Sequence, residues 1–333
     1  MAIRVMAPAN IAFVKYWGRA DHDLFLPTNS SISMTVSGCS TTAFVTFPTD
    51  AKSDKIIKRS ISGLVTVLSQ EDRKSRALYA QIQRIRNLSG QKGFVTVDAT
   101  NNFLSDAGLA SSASSFCAIT GALLIAFGLR GIFDDKKEFS RYVRLAGSGS
   151  AVRSVYGGFV EWHKGHSCNT SVAEQLADEH HWRLVDLIAI VQTEKKKHSS
   201  SFGHEVAKTS PFFEQRVSLV SDRVVGVRQS ILNKDFTQLG ELIESDSDCM
   251  HQVMRTSNPS LNYWNDGTHK VMQKVFALRN KGVEAYYTID AGANVHVLCQ
   301  TNDMLSVHRA LKQLDVVSSV VVNGPAQGAK IVT

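Results

Sequence analysis

Apolar and polar residues alternate through the first hundred residues in a pattern that is typical of half-buried β-strands. Residues 11–14, 32–36 and 41–47 carry short apolar or alternating runs, and we expect a strand in each. Residues 53–69 predict a polar hairpin with a Ser-Gly turn, and residues 93–97 predict a further strand. The opening third therefore predicts a β-sheet.

Helical spacing appears next and dominates the second half. Leu78, Ile82 and Ile85 predict the inward face of a helix over residues 71–86. A second apolar face follows at Phe116, Ile119, Leu123 and Phe127. The remaining predicted helices are residues 136–146, 213–232, 236–244, 270–281 and 304–314.

Further strands are interspersed among these helices. They are predicted at residues 157–162, 184–192, 285–289, 295–299 and 316–322. Strands and helices mix without a repeated βαβ period, which favours an α+β fold over a doubly wound parallel sheet. The strongly apolar strand that begins at Leu184 is expected to open a second domain. We therefore expect an N-terminal domain over residues 1–183 and a C-terminal domain over residues 184–333.

Composition places the chain among ordinary globular proteins. It has 333 residues, 43% hydrophobic and 20% charged, enough for two cores. No run approaches the roughly 18 apolar residues of a membrane span, and Asn10 and Lys15 interrupt any secretory pattern, so we expect a cytoplasmic protein without a membrane partner. The net charge of +7 is dispersed, and the sequence has no basic stripe with interleaved aromatics of the kind that predicts nucleic-acid binding.

The most distinctive polar segment is the Gly/Ser-rich turn of residues 106–115 (Asp-Ala-Gly-Leu-Ala-Ser-Ser-Ala-Ser-Ser). A turn of this kind that feeds a helix N-terminus can hold a phosphate, because free N–H groups and the positive end of the helix dipole meet there. The segment lacks the Gly-Lys-Ser/Thr ending of a Walker A loop. The alternative is a helix whose serines serve only as caps.

Charged side chains at predicted strand ends are the other candidates for chemistry. Lys15, Tyr16 and Arg19 could meet an anionic ligand, or could form a solvated strand end. Asp290 stands between Ile289 and two small residues, where a carboxylate can act as a base or position a hydroxyl. Its alternative is an aspartate that bonds its own turn.

A second Gly/Ser turn, at residues 147–151, precedes an arginine. Ser148, Ser150 and Arg153 could together bind a phosphate or carboxylate, since a guanidinium offers two parallel donors. The alternative for Arg153 is a structural ion pair. Residues 199–203 (Ser-Ser-Ser-Phe-Gly) are another possible anion-binding cap.

Taken together, these motifs resemble the GHMP kinase superfamily and, within it, the mevalonate diphosphate decarboxylase family. The matching segments are residues 10–19 (Asn-Ile-Ala-Phe-Val-Lys-Tyr-Trp-Gly-Arg), 26–33 (Leu-Pro-Thr-Asn-Ser-Ser-Ile-Ser), 101–114, 147–157 and 290–295. They stand in the family's order and span nearly the whole chain.

The resemblance implies a two-domain fold, with an N-terminal domain like ribosomal protein S5 domain 2 and a ferredoxin-like C-terminal domain. The active site would lie between them. It implies an ATP- and Mg²⁺-dependent enzyme of isoprenoid biosynthesis that phosphorylates the 3-hydroxyl of mevalonate 5-diphosphate and releases isopentenyl diphosphate and carbon dioxide. A homodimer is also implied.

Roles for individual residues follow from the same resemblance. Asp290 would orient or deprotonate the 3-hydroxyl, Arg153 would hold the substrate carboxylate, and Lys15 would stabilise the transferring phosphoryl group. Contacts to the substrate and its diphosphate would come from Tyr16, Arg19, Ser148 and Ser200. The ATP phosphates would be held by Gly108, Leu109, Ala110, Ser111 and Ser112, and the hydroxyl of Ser111 would reach the magnesium ion.

The chain departs from the family pattern at five positions. Arg19 replaces the usual lysine, and Ser201 stands where some bacterial members carry an arginine that grips the diphosphate. The others are Leu104, Asp106 and Ala293. The changes at Arg19 and Ser201 touch the diphosphate end and leave a phosphomevalonate decarboxylase as the nearest alternative, followed by a mevalonate 3-kinase. A ligand sensor on the same fold is the alternative without catalysis.

Overall fold

A computed structural model describes residues 3–103, 111–191 and 198–332. The strands are β1 (Arg4–Val14), β2 (Arg19–Asp21), β3 (Leu26–Pro27), β4 (Ser31–Thr46), β5 (Lys55–Arg59), β6 (Val65–Val67), β7 (Thr96–Asn101), β8 (Phe159–Trp162), β9 (Ala173–Ala177), β10 (Leu184–Ile190), β11 (Ala285–Thr288), β12 (Val295–Gln300), β13 (Ser319–Asn323) and β14 (Lys330–Val332). The helices are α1 (Arg73–Ser89), α2 (Ser111–Ala126), α3 (Arg130–Asp134), α4 (Lys136–Leu145), α5 (Ser200–Val206), α6 (Phe213–Asn233), α7 (Phe236–Thr256), α8 (Asp266–Arg279) and α9 (Met304–Lys312).

The first sheet runs β14-β1-β4-β7-β5-β6, with β8 on β4 and β9 on β8. Helices α1, α2 and α4 cover one face, where Ile82, Ile119, Leu123 and Val143 pack on strand residues such as Val97. The small residues of α2, Ala118 and Ala122, are buried in this layer. They allow α2 to lie close against β1 and β4.

The second sheet is antiparallel, in the order β11-β12-β10-β13, and α8 and α9 pack on one of its faces. Helices α6 and α7 lie between the two sheets. Val224 of α6 and Ile243 of α7 share one buried cluster with Phe13 of β1 and Ile188 of β10. This shared core fixes the end of β1 next to α7 and the end of β11.

The last strand returns to the first sheet, because β14 pairs antiparallel with β1 from Arg4↔Val332 to Met6↔Lys330. The expected division at residues 183 and 184 stays a prediction. The mixed α+β architecture is confirmed. None of the helices in the described part of the chain combines the length and apolar character needed to cross a bilayer.

Three details differ from the sequence-based predictions. The two strands expected at residues 32–36 and 41–47 form one strand, β4, because the polar residues between them make a bulge opposite Pro8 and Ala9. Helix α7 continues to Thr256. Strands β2, β3, β9 and β14 and helices α3 and α5 were not predicted. They have between 2 and 7 residues, too short for a clear period.

Gly240 lies where α7 crosses β11, and a Cβ there would overlap the Tyr286 ring. We expect Gly240→Ala to lower the free energy of unfolding by about 1–3 kcal/mol, because the ring must shift in a filled core. Gly131→Ala is the matched control, since nothing lies within 4 Å of its added Cβ. The control should stabilise the protein by up to about 1 kcal/mol. Urea unfolding measures both, and equal effects would contradict this packing.

Candidate active site

An ion pair joins the two sheets at the ends of their strands. Lys15 directly follows β1, and its Nζ lies 2.7 Å from Oδ1 of Asp290, which follows β11 by two residues. The Lys15 side chain is 2% exposed and that of Asp290 is 29% exposed. The ammonium is therefore enclosed, while one side of the carboxylate stays open to a ligand.

The pair influences the pKa of both partners. Burial lowers the pKa of Lys15, and the charge of Asp290 and a hydrogen bond to it partly offset that effect. Burial raises the pKa of Asp290, but the electrostatic effects of Lys15, His296 and Arg153 and the hydrogen bond from Lys15 together outweigh burial, so the pKa is lowered overall. Asp290 is therefore a carboxylate at neutral pH, able to accept a hydrogen bond from a hydroxyl group.

Arg153 brings a second buried cation to the site. It lies in a short 3-10 helix (Ser150–Ser154), where its Nη1 donates to Ser31 Oγ at 2.6 Å and its Nη2 to Asn10 Oδ1 at 3.3 Å. Burial lowers its pKa to about 10, and the charge of Asp290 opposes that shift, so the group is charged at pH 7.

Within residues 3–103, 111–191 and 198–332, no carboxylate forms an ion pair with Arg153, and its Nε has no hydrogen-bond partner. A buried charge without a paired anion is costly. Lys15 and Arg153 both lie beside Asp290 and repel each other, as the lowering of the Lys15 pKa by Arg153 shows. The arrangement favours binding of one anionic group next to Asp290.

Tyr16 and Arg19 form a second polar group close by. The Nε of Arg19 donates to Tyr16 Oη at 3.0 Å, and the guanidinium lies 4.5 Å from the centre of the Phe25 ring. The Tyr16 ring contacts the rings of Trp162 and His204 at centroid distances of 4.9 and 4.1 Å. These contacts hold the hydroxyl and the guanidinium in a fixed orientation.

The second Gly/Ser turn packs on the same tyrosine. A Cβ at Gly149 would come within 2.7 Å of both the Trp162 and Tyr16 rings, so only glycine allows this approach. The hydroxyls of Ser148 and Ser150 on either side of Gly149 lie 3.2 Å apart. Ser148 is therefore held near Tyr16.

Ser200 is the first residue of α5, the helix that covers this region. Gly203 of α5 lies against the Trp17 ring, and His204 accepts the Gly18 N–H on its Nδ1 at 3.0 Å. Ser200 lies one turn before His204 and hence on the same helix face. The Ser199 side chain accepts the Phe202 N–H at 3.2 Å and so caps the start of α5.

The expected nucleotide segment is described only in part. Gly108, Leu109 and Ala110 lie outside the described residues, whereas Ser111 opens α2 and Ser112 is exposed in its first turn. Ser114 and Ser115 anchor this turn, with hydroxyls 2.7 and 3.3 Å from Thr41 Oγ1. A 16-residue helix with the exposed Ser112 in its first turn suits a phosphate.

In the described ranges, no group of three or more His, Cys, Asp or Glu side chains could hold a metal ion. Mg²⁺ in nucleotide sites is commonly bound by one or two protein groups plus substrate phosphates and water. A magnesium ion that enters with a nucleotide fits this chemistry better than a dedicated protein cage does.

Some residues at the site are not singled out by the sequence. Asn10 and Ser31 lie inside matched motifs without an assigned role, and no local pattern distinguishes the histidines, including His204, from surface or core residues. Asp246 of α7 is the clearest omission. It lies on the same buried helix face as Ile243 and Met250. A carboxylate is rarely buried without a partner, so an acidic residue on this face indicates a specific partner.

We expect Asp290→Asn to lower the free energy of unfolding by about 1–3 kcal/mol at pH 7, because Lys15 and Arg153 lose the opposing charge. The pKa of Asp290 is lowered in the folded chain, so its stabilisation is present above its ordinary value and disappears as pH falls through the folded-state value. Urea unfolding at pH 7 and pH 3 should show the difference from wild type narrowing at pH 3. An equal difference at both pH values would contradict the pairing.

Comparisons with known proteins agree with this geometry. Residues 7–173 match the diphosphomevalonate decarboxylase-like N-terminal domain, and residues 186–324 match the mevalonate 5-diphosphate decarboxylase C-terminal domain. The chain is 36% identical over 302 residues to the diphosphomevalonate decarboxylase of Candida albicans, covering 87% of this chain and 82% of the relative. It is 33% identical over 316 residues to that of Homo sapiens, covering 88% and 75%.

Solved structures give the same result over the full length. The mevalonate diphosphate decarboxylase from Staphylococcus aureus superposes with a TM-score of 0.91 at 30% identity, covering 100% of this chain and 98% of that chain. A structure of MDDEF in complex with MVAPP, AMPPCP and magnesium superposes with a TM-score of 0.89 at 33% identity, covering 100% and 99%. The chain belongs to the diphosphomevalonate decarboxylase family.

Proposed function

We propose that the protein catalyses the ATP- and Mg²⁺-dependent decarboxylation of mevalonate 5-diphosphate to isopentenyl diphosphate. The observation that carries the proposal is the open Asp290 carboxylate, paired with Lys15 and placed beside Arg153, a buried cation without a paired anion among the described residues. The substrate offers a matching set of groups, namely a carboxylate, a tertiary hydroxyl and a distant diphosphate.

The carboxylate of the substrate binds Arg153, whose guanidinium presents two parallel donors. This contact places the 3-hydroxyl against Asp290, which accepts its proton in a hydrogen bond. Because the pKa of Asp290 is held low, the carboxylate is a weak base. The hydroxyl proton therefore moves to Asp290 as the new oxygen–phosphorus bond forms, when the hydroxyl has become more acidic.

ATP, when bound with magnesium, supplies the γ-phosphoryl group. Gly108, Leu109, Ala110, Ser111 and Ser112 would hold its phosphates at the start of α2, and Ser111 would contact the magnesium ion. Lys15 is held on the inner side of the site, where its ammonium stabilises the charge on the transferring phosphoryl group.

Decarboxylation follows once the oxygen is phosphorylated. The bond between the carboxylate carbon and C2 breaks, its electron pair forms the C2–C3 double bond, and the phosphate leaves C3 with the electrons of the C–O bond. Carbon dioxide, phosphate and isopentenyl diphosphate result. Arg153 keeps the breaking bond aligned, and Lys15 balances the charge of the departing phosphate.

The far end of the substrate is assigned to the group around Tyr16. Arg19, Ser148 and Ser200 supply one guanidinium and two hydroxyls there, and the Tyr16 hydroxyl completes the set. A diphosphate suits a fixed guanidinium surrounded by hydroxyl donors. Family membership also supports a homodimer in the cytoplasm, and both assignments are part of the proposal.

Turnover with three substrates tests the function. The purified protein is incubated with ATP and magnesium and with mevalonate 5-diphosphate, mevalonate 5-phosphate or mevalonate, while ADP and carbon dioxide are measured. We expect both products in equal amounts, with the highest kcat/KM for the diphosphate. Turnover only with the monophosphate would contradict the assigned substrate, and ADP without carbon dioxide would indicate a 3-kinase. If neither product forms with any of the three compounds, the proposed enzymatic activity is contradicted.

A further inference from the structure

Asp246 is an acidic residue on the buried face of α7. Its side chain is completely buried, and Leu239, Ile243, Met250 and Val253 are buried on the same helix. Burying a carboxylate at such a position destabilises the folded state unless the carboxylate is paired and hydrogen-bonded. Its partners therefore show what the charge does.

Those partners are Lys15, which directly follows β1, and two arginines of α6. Oδ2 of Asp246 accepts the backbone N–H of Lys15 at 2.7 Å and the Nη2 of Arg216 at 3.1 Å. Oδ1 lies 3.4 Å from the Nη1 of Arg223. Arg216 is itself 1% exposed, and its Nη1 donates to the backbone carbonyl of Asp246 at 3.1 Å.

The same network holds the other side of Lys15. The carbonyl oxygen of Lys15 accepts the Nη2 of Arg216 at 3.2 Å and the Nδ2 of Asn29 at 3.0 Å. Both the N–H and the C=O of Lys15 are thus bound to buried side chains. These contacts fix the peptide groups on either side of the Lys15 Cα, and with them the direction in which its side chain leaves the backbone.

Stability alone gives a poor reason for this network. Replacing a buried ion pair by neutral residues of similar volume is often neutral or stabilising, whereas removing one partner is strongly destabilising. The Asp246–Arg216 pair connects two helices that already share a large apolar cluster. What the pair adds is a fixed position for Lys15, the residue directly after β1.

We propose that the Asp246–Arg216 ion pair is a positioning device for Lys15, which sets where its ammonium meets Asp290 and the transferring phosphoryl group. The inference rests on the proposed function for the role of Lys15 in catalysis. The positioning itself is a property of the folded chain and is measurable without substrate.

Asp246 also acts on the charge of Lys15. The groups that face the Lys15 ammonium are Asp290 after β11, Asp246 and the neutral His251 on α7, and Arg153 beside β1. The two carboxylates raise the pKa of Lys15, while burial and Arg153 lower it. Loss of the Asp246 charge therefore lowers the pKa of Lys15 further.

The test compares Asp246→Asn with a matched control, Asp54→Asn. Asp54 also accepts a backbone N–H, that of Val95 at 2.9 Å, together with the guanidinium of Arg86. It lies just before β5, in the first sheet, whereas Lys15 and Asp290 lie at the junction of the two sheets. The double variant Asp246→Asn/Arg216→Gln removes both charges of the pair, so no unpaired charge is left at Arg216. Arg223 also loses the carboxylate, but its side chain is 14% exposed and keeps its hydrogen bond to Ser245 Oγ. The double variant therefore remains available where the single variant unfolds.

Four quantities are measured on each folded protein. They are the midpoint of thermal unfolding, the pKa of Lys15 from the pH titration of its ¹³Cε signal (assigned by its loss in Lys15→Arg), and kcat and KM against pH. We expect the double variant to be more stable than Asp246→Asn. In both, the Lys15 pKa should fall and kcat should drop about 100-fold with little change in KM, because a small displacement of a catalytic group costs about that much.

Asp54→Asn should lose stability while the Lys15 pKa and kcat stay at wild-type values. A double variant with wild-type kcat and an unchanged Lys15 pKa would overturn the proposal, since the pair would then be only structural. Wild type without turnover, combined with a lowered Lys15 pKa in the variants, would contradict the proposed function and leave the positioning supported.

Discussion

The contact between Lys15 and Asp290 is the constraint on which the site depends. It joins the end of the first sheet to a turn of the second, with 2.7 Å between nitrogen and oxygen. Neither residue can be placed unless both sheets and the helices between them are correctly packed. The shared apolar cluster of β1, α6, α7 and β10 therefore serves the chemistry as well as the stability of the protein.

Around this contact the protein buries more positive charge than a stable core requires. Lys15, Arg153 and Arg216 are each at most 2% exposed. Asp246 neutralises Arg216, and Asp290 stands opposite the other two. In the proposed mechanism, the remaining charge is a cost in the free protein that the substrate carboxylate relieves, so binding energy is concentrated at the group that must be aligned for decarboxylation. The same cost links stability to function, because each partner removed leaves a buried charge unpaired.

Much of this arrangement could be predicted from the sequence, and the limits have physical reasons. The motifs that contain Lys15, Arg153 and Asp290 lie at strand ends or next to Gly/Ser turns, where local sequence carries information about chemistry.

The long helices were predicted because their apolar period is regular. Strand β14 was missed because three residues carry no period, and its pairing with β1 depends on a contact across almost the entire chain. His204 was not singled out because its contacts with the Tyr16 ring and the Gly18 N–H arise from the fold, which local sequence does not encode. Asp246 did leave a signal, an acid on an apolar helix face, but only the fold shows that its partner is the backbone of Lys15.

The central claim is that Asp290, held by Lys15 and opposite Arg153, handles the hydroxyl that receives the phosphoryl group. The most direct measurement is a single turnover of Asp290→Asn with mevalonate 5-diphosphate, ATP and magnesium, alongside the affinity of the same variant for ATP. The account predicts that neither ADP nor carbon dioxide forms on the wild-type timescale, while ATP affinity stays within a few-fold of wild type. ADP formation at the wild-type rate would contradict it, because the carboxylate charge would then have no part in phosphoryl transfer.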